Sequence, residues 1–402
     1  MKATFRQSRL SGTVQAPPSK SMLHRLLICA GLSDGISVID NTATSQDILA
    51  TIDCLEKIGC FCERKDGRFI VSHDMPQEES RPVFNCRESG STLRFFVPIA
   101  LVKCHRALFT GAERLLERGI GIYEDVLKPR GVRFVKSRHG IEVEGELTAG
   151  TIDINGNVSS QYISGLMFGL SCLDEASVIN VIPPVESRAY IDLTIETLKK
   201  AGIVIKEIKE NSFYIEGGQE FRPINEAAEG DWSNAAFLYA LKNLGNDISV
   251  TGLNENSVQS DRICLDYFKK LDKDTKSPLD ISNCIDLGPV LFAYAAAGHG
   301  GHFTGTRRLL IKESDRANVM AEELEKFGVE VRVSENDVIV SANGLKKPEE
   351  ELFGHNDHRI VMALSVLLTL IGGTINGAEA VTKSFPDFFE VLRRLSADVE
   401  IG

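Results

Sequence analysis

The chain predicts an α/β fold of two similar domains, each built from three helix-plus-hairpin units around its own core. Three observations carry that expectation. A helix ending recurs along the chain, alternating strands follow several of its copies, and the copies divide evenly about a polar crossing at Glu226–Gly230. The copies read Leu55–Gly59, Leu127–Gly131, Leu198–Gly202, Phe268–Asp272, Leu324–Gly328 and Leu392–Ser396. Glycine just past a helix whose last turn carries Lys or Arg is a stop signal. The spacing is about 70 residues, shortened once around Phe268 and longer than the common solenoid repeats. Val204–Glu207 with Phe213–Glu216, and Val329–Val333 with Val338–Ser341, alternate as hairpin strands do.

The helix starts carry the chemistry. Pro17-Pro18 cannot continue a helix, Ser19 is a good cap, and Lys20 and Ser21 fall in the first turn with Arg25 one turn below. Backbone N–H groups and the dipole at such a start favour an anion, and phosphate is the usual occupant. Ser89-Gly90-Ser91-Thr92 leads into Arg94, Ser159-Ser160-Gln161 opens another helix, and Lys312-Glu313-Ser314-Asp315-Arg316 opens a third. Ile163, Leu166, Met167 and Leu170 share one face, as do Val319, Met320, Leu324 and Phe327. Packed apolar faces leave polar first turns free to converge on a small, highly charged ligand. Drawn from both halves, such a ligand would sit between the domains.

Bulk properties exclude several classes. The net charge of -11 argues against a nucleic-acid or anionic-membrane surface. The longest apolar run, about Ile360 to Ile371, is too short for a bilayer and reads as a buried helix, so a cytoplasmic protein is expected. Nine cysteines without a CxxC pair read as free thiols. His299 with His302, and His355 with His358, lack the surrounding pattern of a zinc site, so no metal is expected. Gly119-Ile-Gly121 and Gly298–His302 do not make a nucleotide loop, so neither ATP nor NAD is expected.

Taken in order, Pro18–Ser21 with Arg25, Ser159–Gln161, Lys312–Arg316, Asn356–Arg359 and Lys383–Asp387 resemble the 3-phosphoshikimate 1-carboxyvinyltransferase (EPSP synthase) family, over essentially the whole chain. The resemblance implies two domains of three βαβαββ repeats, residues 18–228 and residues 1–17 plus 229–402, so that the N-terminal strand joins the second. It implies transfer of the enolpyruvyl group of phosphoenolpyruvate to the 5-hydroxyl of shikimate 3-phosphate, without a cofactor, by a protein expected to be a monomer. Carried over residue by residue, shikimate 3-phosphate falls to Lys20, Ser21, Arg25, Ser159, Ser160, Gln161, Ser187, Asp286 and Lys312. Phosphoenolpyruvate falls to Lys20, Gly90, Arg118, Gln161, Arg316, Arg359 and Lys383. The resemblance makes Asp286 the base on the 5-hydroxyl and Glu313 the carboxylate that moves the proton at C3, with Lys20 beside them in the catalytic set.

These residue types suit the reaction. Phosphoenolpyruvate is close to trianionic, and bidentate arginines match its carboxylate and phosphate. Protonation at C3 builds positive character at C2, and the attacking hydroxyl must lose a proton, so one acid and one base are the minimum. Plainer readings stand beside these. Lys312-Glu313-Arg316 could be a surface ion-pair set, and Asn356–Arg359 or Asp286 could cap the apolar helices that follow. The chain departs from the family pattern at Glu88, Phe95, Gly119, Ala189, Ile285 and Arg308. Rival readings are the sister enzyme acting on UDP-N-acetylglucosamine, an RNA 3'-phosphate cyclase and a non-enzymatic repeat protein binding phosphorylated metabolites. The first carries a reactive loop cysteine, and no cysteine here lies in an obvious basic loop.

Overall fold

A computed structural model describes residues 1–73, 81–274 and 276–402. The chain divides into two units, Pro18–Glu229 and Met1–Pro17 with Gly230–Gly402. Each has its own apolar core.

The unit Pro18–Glu229 holds three four-stranded sheets. Their strand orders are Asn225–Ala227, Ser37–Asp40, Arg68–Ser72, Phe61–Lys65; then Val83–Asn85, Arg106–Thr110, Gly140–Glu144, Arg133–Ser137; then Gly150–Asn155, Ser177–Ile182, Ser212–Ile215, Ile205–Lys209. Every sheet opens with one parallel pair and continues antiparallel. The last two strands of each are the expected hairpin. The other unit repeats the pattern in Leu279–Asp280, Gly301–Thr304, Asp337–Val340, Val331–Val333. Its second sheet is completed by the N-terminus. Lys2–Phe5 lies antiparallel between Gly373–Asn376 and Val399–Ile401, where a hairpin strand would otherwise be.

The fourth copy breaks the expectation. Asp272 lies inside the helix Cys264–Lys273 instead of ending it, and among the described residues no hairpin follows. Its sheet is only the parallel pair Ser11–Gln15 with Asp247–Thr251. The other five endings place a left-handed residue as predicted, with φ of 91° at Gly59, 89° at Gly131, 84° at Gly202, 76° at Gly328 and 72° at Ser396.

Six inner helices fill the cores: Lys20–Leu32, Gly90–Lys103 and Ser160–Leu170 in one unit, and Trp232–Asn243, Gly288–Ala297 and His358–Ile371 in the other. Their residues are buried on nearly all sides, which explains sequences that are apolar all round. Among the described residues no helix is long and apolar enough to cross a membrane.

Close helix approach fixes the starts of these helices. Ser160–Leu170 packs on Gly90–Lys103, and a Cβ on Gly165 would lie 2.2 Å from Tyr123 Oη and 2.3 Å from the Arg94 carbonyl. Gly165→Ala should therefore cost about 1–3 kcal/mol of stability through overpacking. Denaturant unfolding checks this, and an unchanged midpoint would show that the helices can part without cost.

Candidate active site

In the unit Pro18–Glu229, serine caps start all three inner helices. Ser19, Ser89 and Ser159 accept from the backbone N–H groups of Met22, Thr92 and Gln161. Lys20 donates to Asp47 Oδ2 at 2.6 Å. Arg25 is 2% exposed and donates to Thr194 Oγ1 at 2.8 Å, the Ser21 carbonyl at 2.7 Å, the Tyr190 carbonyl at 3.0 Å and Ser164 Oγ at 3.3 Å. With only neutral partners among these, burial brings its pKa down to about 10. Ser187 is buried in a left-handed conformation, φ 57°, immediately before the helix Arg188–Lys200. A serine rarely adopts that backbone without a constraint.

Gly90 earns its place sterically. A Cβ there would lie 2.8 Å from Arg94 Nη1 and 3.2 Å from Arg118 Nη2, so two guanidiniums occupy the space above its Cα. Arg94 donates to Gln161 Oε1 at 2.5 Å, and Gln161 Nε2 donates to Ser91 Oγ at 2.9 Å. The structure thus gathers Gly90, Arg118 and Gln161 and adds Arg94, which the sequence reading had not counted among the ligand-binding residues. Asp47 is a second addition. Its only sequence signal is a position just inside a Ser45-capped helix, which does not reveal its partner Lys20.

The other unit gathers the remaining charged residues around one arginine. Arg316 is 1% exposed; its Nε donates to Asp357 Oδ2 at 2.8 Å, Nη1 to Asp286 Oδ1 at 2.8 Å, and Nη2 to Glu313 Oε2 at 2.7 Å. Lys312 Nζ lies 3.0 Å from Asp286 Oδ1, and Arg359 Nη2 lies 3.4 Å from Asp286 Oδ2. Arg359 also donates to Ser233 Oγ at 2.6 Å and to the Asp286 carbonyl at 3.2 Å. Lys383 is buried, its Nζ donating to the Asn356 carbonyl. Burial works against the Asp286 carboxylate, but Arg359, Lys312 and Arg316 outweigh it and hold its pKa well below the ordinary range. Burial lowers the pKa of Lys312, opposed by Asp286. Arg316 is raised, because Asp357, Glu313 and Asp286 overcome the cost of burying it.

Two of the plainer readings fail here. Lys312-Glu313-Arg316 is no surface set, and its helix starts only at Arg316, with Asp315 as cap and Lys312 ahead of it. Asp286 does not cap the helix that follows, which starts behind Leu287 without a side-chain cap. The third reading holds. Asp357 caps His358–Ile371 through the Arg359 N–H and also grips Arg316. Its role at Arg316 was not legible from its position.

Two further features contain none of the predicted site residues. One is a cavity of about 770 Å³ lined by Trp232, Tyr239, Leu253, Arg262 and Lys269. Glu322, Glu323 and His355 have donor types suited to a metal, but the Lys326 ammonium already lies 2.9 and 3.0 Å from the two Glu323 oxygens.

Fold and side-chain chemistry define a class: repeat-built α/β proteins that gather arginines and lysines near their helix starts. The family model of EPSP synthase (3-phosphoshikimate 1-carboxyvinyltransferase) matches residues 5–392. A 3-phosphoshikimate 1-carboxyvinyltransferase of Clostridium perfringens is 36% identical, with 98% of each chain covered. One of Clostridium acetobutylicum is 37% identical, covering 97% of this chain and 96% of that one. The solved EPSP synthase of Acinetobacter baumannii superposes with a TM-score of 0.80 over 100% of both chains at 22% identity, a likeness of fold alone. The chain belongs to the EPSP synthase (3-phosphoshikimate 1-carboxyvinyltransferase) family.

Removing one partner from a buried ion cluster strands the others. Arg316→Gln should lower the unfolding free energy at neutral pH by about 3–5 kcal/mol. The depressed pKa of Asp286 means its ion pairs stabilise the fold above the ordinary Asp value, roughly 3.9, and are lost as pH falls through the lower folded value. The wild type should thus lose this contribution on acidification, and the gap to Arg316→Gln should narrow as stranded carboxylates protonate. Urea unfolding over a pH series tests this; a gap independent of pH would place the cost elsewhere.

Proposed function

We propose that this protein transfers the enolpyruvyl group of phosphoenolpyruvate to the 5-hydroxyl of shikimate 3-phosphate, releasing phosphate, in the shikimate pathway to chorismate and the aromatic amino acids. The observation that carries the mechanism is the Asp286 carboxylate held among Lys312, Arg316 and Arg359, in a chain whose relatives bear that enzyme's name.

Shikimate 3-phosphate is assigned to Lys20, Ser21, Arg25, Ser159, Ser160, Gln161 and Ser187, with Asp286 and Lys312 at its hydroxyls. A buried arginine among neutral partners has the strongest call for an anion, which favours Arg25 as a phosphate ligand. Phosphoenolpyruvate is assigned to Lys20, Gly90, Arg118, Gln161, Arg316, Arg359 and Lys383. In the addition step Glu313, protonated as the trianionic donor binds, delivers that proton to C3, the 5-oxygen bonds to C2, and Asp286 takes the hydroxyl proton. In the elimination step the methyl group returns a proton to the Glu313 carboxylate, the C2–O bond breaks, and the phosphate leaves with the proton held on Asp286, restoring the enol ether and both carboxyl groups.

The resting charge pattern supports an ordered use of Asp286. Three cations keep it ionised, so it can accept a proton, but they also keep it a weak base. An incoming carboxylate and phosphate would draw on Arg316 and Arg359, raising the basicity of Asp286 only when the donor is bound. The UDP-sugar alternative is disfavoured by the relatives, and seven of the nine thiols point the same way. Burial pushes Cys60 and Cys62 up to about 12 and raises Cys29, Cys54, Cys172, Cys264 and Cys284, the opposite of a reactive thiolate.

Phosphate release should require both substrates and persist in the presence of a chelator; release with UDP-N-acetylglucosamine instead would transfer the assignment to the sister reaction. Asp286→Asn should lower kcat by about 10²–10⁴, the usual worth of a general base, while shikimate 3-phosphate still binds. Turnover at the wild-type rate would remove Asp286 from the role. Lys383→Ala should act mainly on phosphoenolpyruvate, raising its KM about tenfold, the loss of one charge-assisted contact. Steady-state kinetics with each substrate varied separately shows whether the effect falls there.

A further inference from the structure

We propose that Glu323 and His355 are positioning residues for Arg316 and Lys383, acting through the tight turn at residues 353–357; this rests on the reading that those two cations hold phosphoenolpyruvate.

The turn is sterically demanding. A Cβ on Gly354 would lie 2.5 Å from Val361 Cγ2 and 2.8 Å from the Gly377 carbonyl. His355 and Asn356 follow with φ of 46° and 52°, two consecutive non-glycine residues in the left-handed region. That conformation has a consequence at each end. The Asn356 carbonyl accepts from Lys383 Nζ, and the next residue, Asp357, takes Arg316 through both of its oxygens, at 2.8 and 3.3 Å.

Glu323 holds this turn from the helix that begins with Arg316. It is wholly buried, two turns along Arg316–Glu325. Its Oε2 accepts the Phe353 N–H at 3.1 Å, and its Oε1 lies 2.9 Å from His355 Nε2. A carboxylate accepts only, so the network assigns the proton to Nε2. Lys326 neutralises the carboxylate and lies 4.9 Å from the centre of the Phe353 ring, a cation–π contact that closes the cluster from the solvent side. Exposed Glu322 is a further ionisable group close to the pair. One buried carboxylate therefore ties the helix bearing Arg316 to the first half of the turn that grips Arg316 and seats Lys383. Glu323 and His355 bond to each other, and Glu323 to the Phe353 N–H, so their influence on Arg316 and Lys383 is through backbone placement.

The test separates placement from folding. His355→Gly keeps access to the left-handed backbone but removes the imidazole. His355→Asn also tolerates that backbone and is too short to reach Glu323, whereas His355→Gln can offer an amide N–H in its place. The first two should raise KM for phosphoenolpyruvate about tenfold, the scale of a small misplacement of binding groups, with kcat and KM for shikimate 3-phosphate within about twofold. His355→Gln should recover most of the loss. Thermal shift on adding phosphoenolpyruvate to the shikimate 3-phosphate complex gives a second readout in folded protein, and it should weaken in the same order. Unchanged KM for phosphoenolpyruvate in His355→Gly, or equal losses for both substrates with no recovery in His355→Gln, would overturn the proposal. The wild type assayed alongside keeps the two readings distinct, since failure of wild-type turnover would overturn the reaction assignment.

Discussion

The unit that carries Asp286 depends on how a nearly inaccessible guanidinium is satisfied. Arg316 meets Asp286, Glu313 and Asp357 at once, and Lys312 and Arg359 complete the neighbourhood. Three carboxylates thus face three cations in a site where water screens little. The balance explains why the cluster can exist without a ligand, and also why it is poised. A ligand that is itself strongly anionic shifts the balance toward negative charge, and the group whose protonation then becomes easier is Asp286, the carboxylate proposed to take a proton. Stability at rest and basicity under load come from the same set of contacts.

The serine-capped unit solves a different problem. Arg25 is surrounded by hydroxyls and carbonyl oxygens, and the price is a guanidinium whose charge is less favourable than usual. Among the described residues the four contacts engage one N–H on Nε, one on Nη1 and two on Nη2, out of five donors. Arg94 and Arg118 lie over the bare Cα of Gly90, at the start of a helix whose dipole favours the same sign of ligand. Lys20 in the same unit is paired with the Asp47 carboxylate at 2.6 Å.

Local signals in the sequence were read well, and long-range partners were not. Serine before an apolar run marked Ser19, Ser89 and Ser159 as caps, and glycine after a basic turn marked four of the five left-handed helix stops. Ser396 does the same work without being glycine. Phe268–Asp272 misled because a helix ending was inferred from composition where the helix runs on to Lys273. Asp286 looked like a cap because it precedes a helix; its real partners are 26 to 73 residues away, beyond the reach of any local pattern. Asp47, Arg94 and Asp357 share that limit. Each sits at a helix start that the sequence marks, and each acquires its role from a residue on another helix.

Cap chemistry gives the two units their different ways of meeting an anion. Each inner helix presents unpaired N–H groups and a positive dipole end at its start. In Pro18–Glu229 all three caps are serines, which satisfy one N–H each and add no charge, so the positive end stays available to an anionic ligand. In the other unit the corresponding starts carry Asp231 and Asp357 as caps, and Asp286 one residue ahead of the third. A carboxylate at a helix start answers the dipole from within the protein. Anion affinity there must come from side-chain cations instead, and those cations need the same carboxylates as anchors. The dense ion cluster around Arg316 is therefore the counterpart of the aspartates at its helix starts, just as the sparsely paired Arg25 is the counterpart of serine caps.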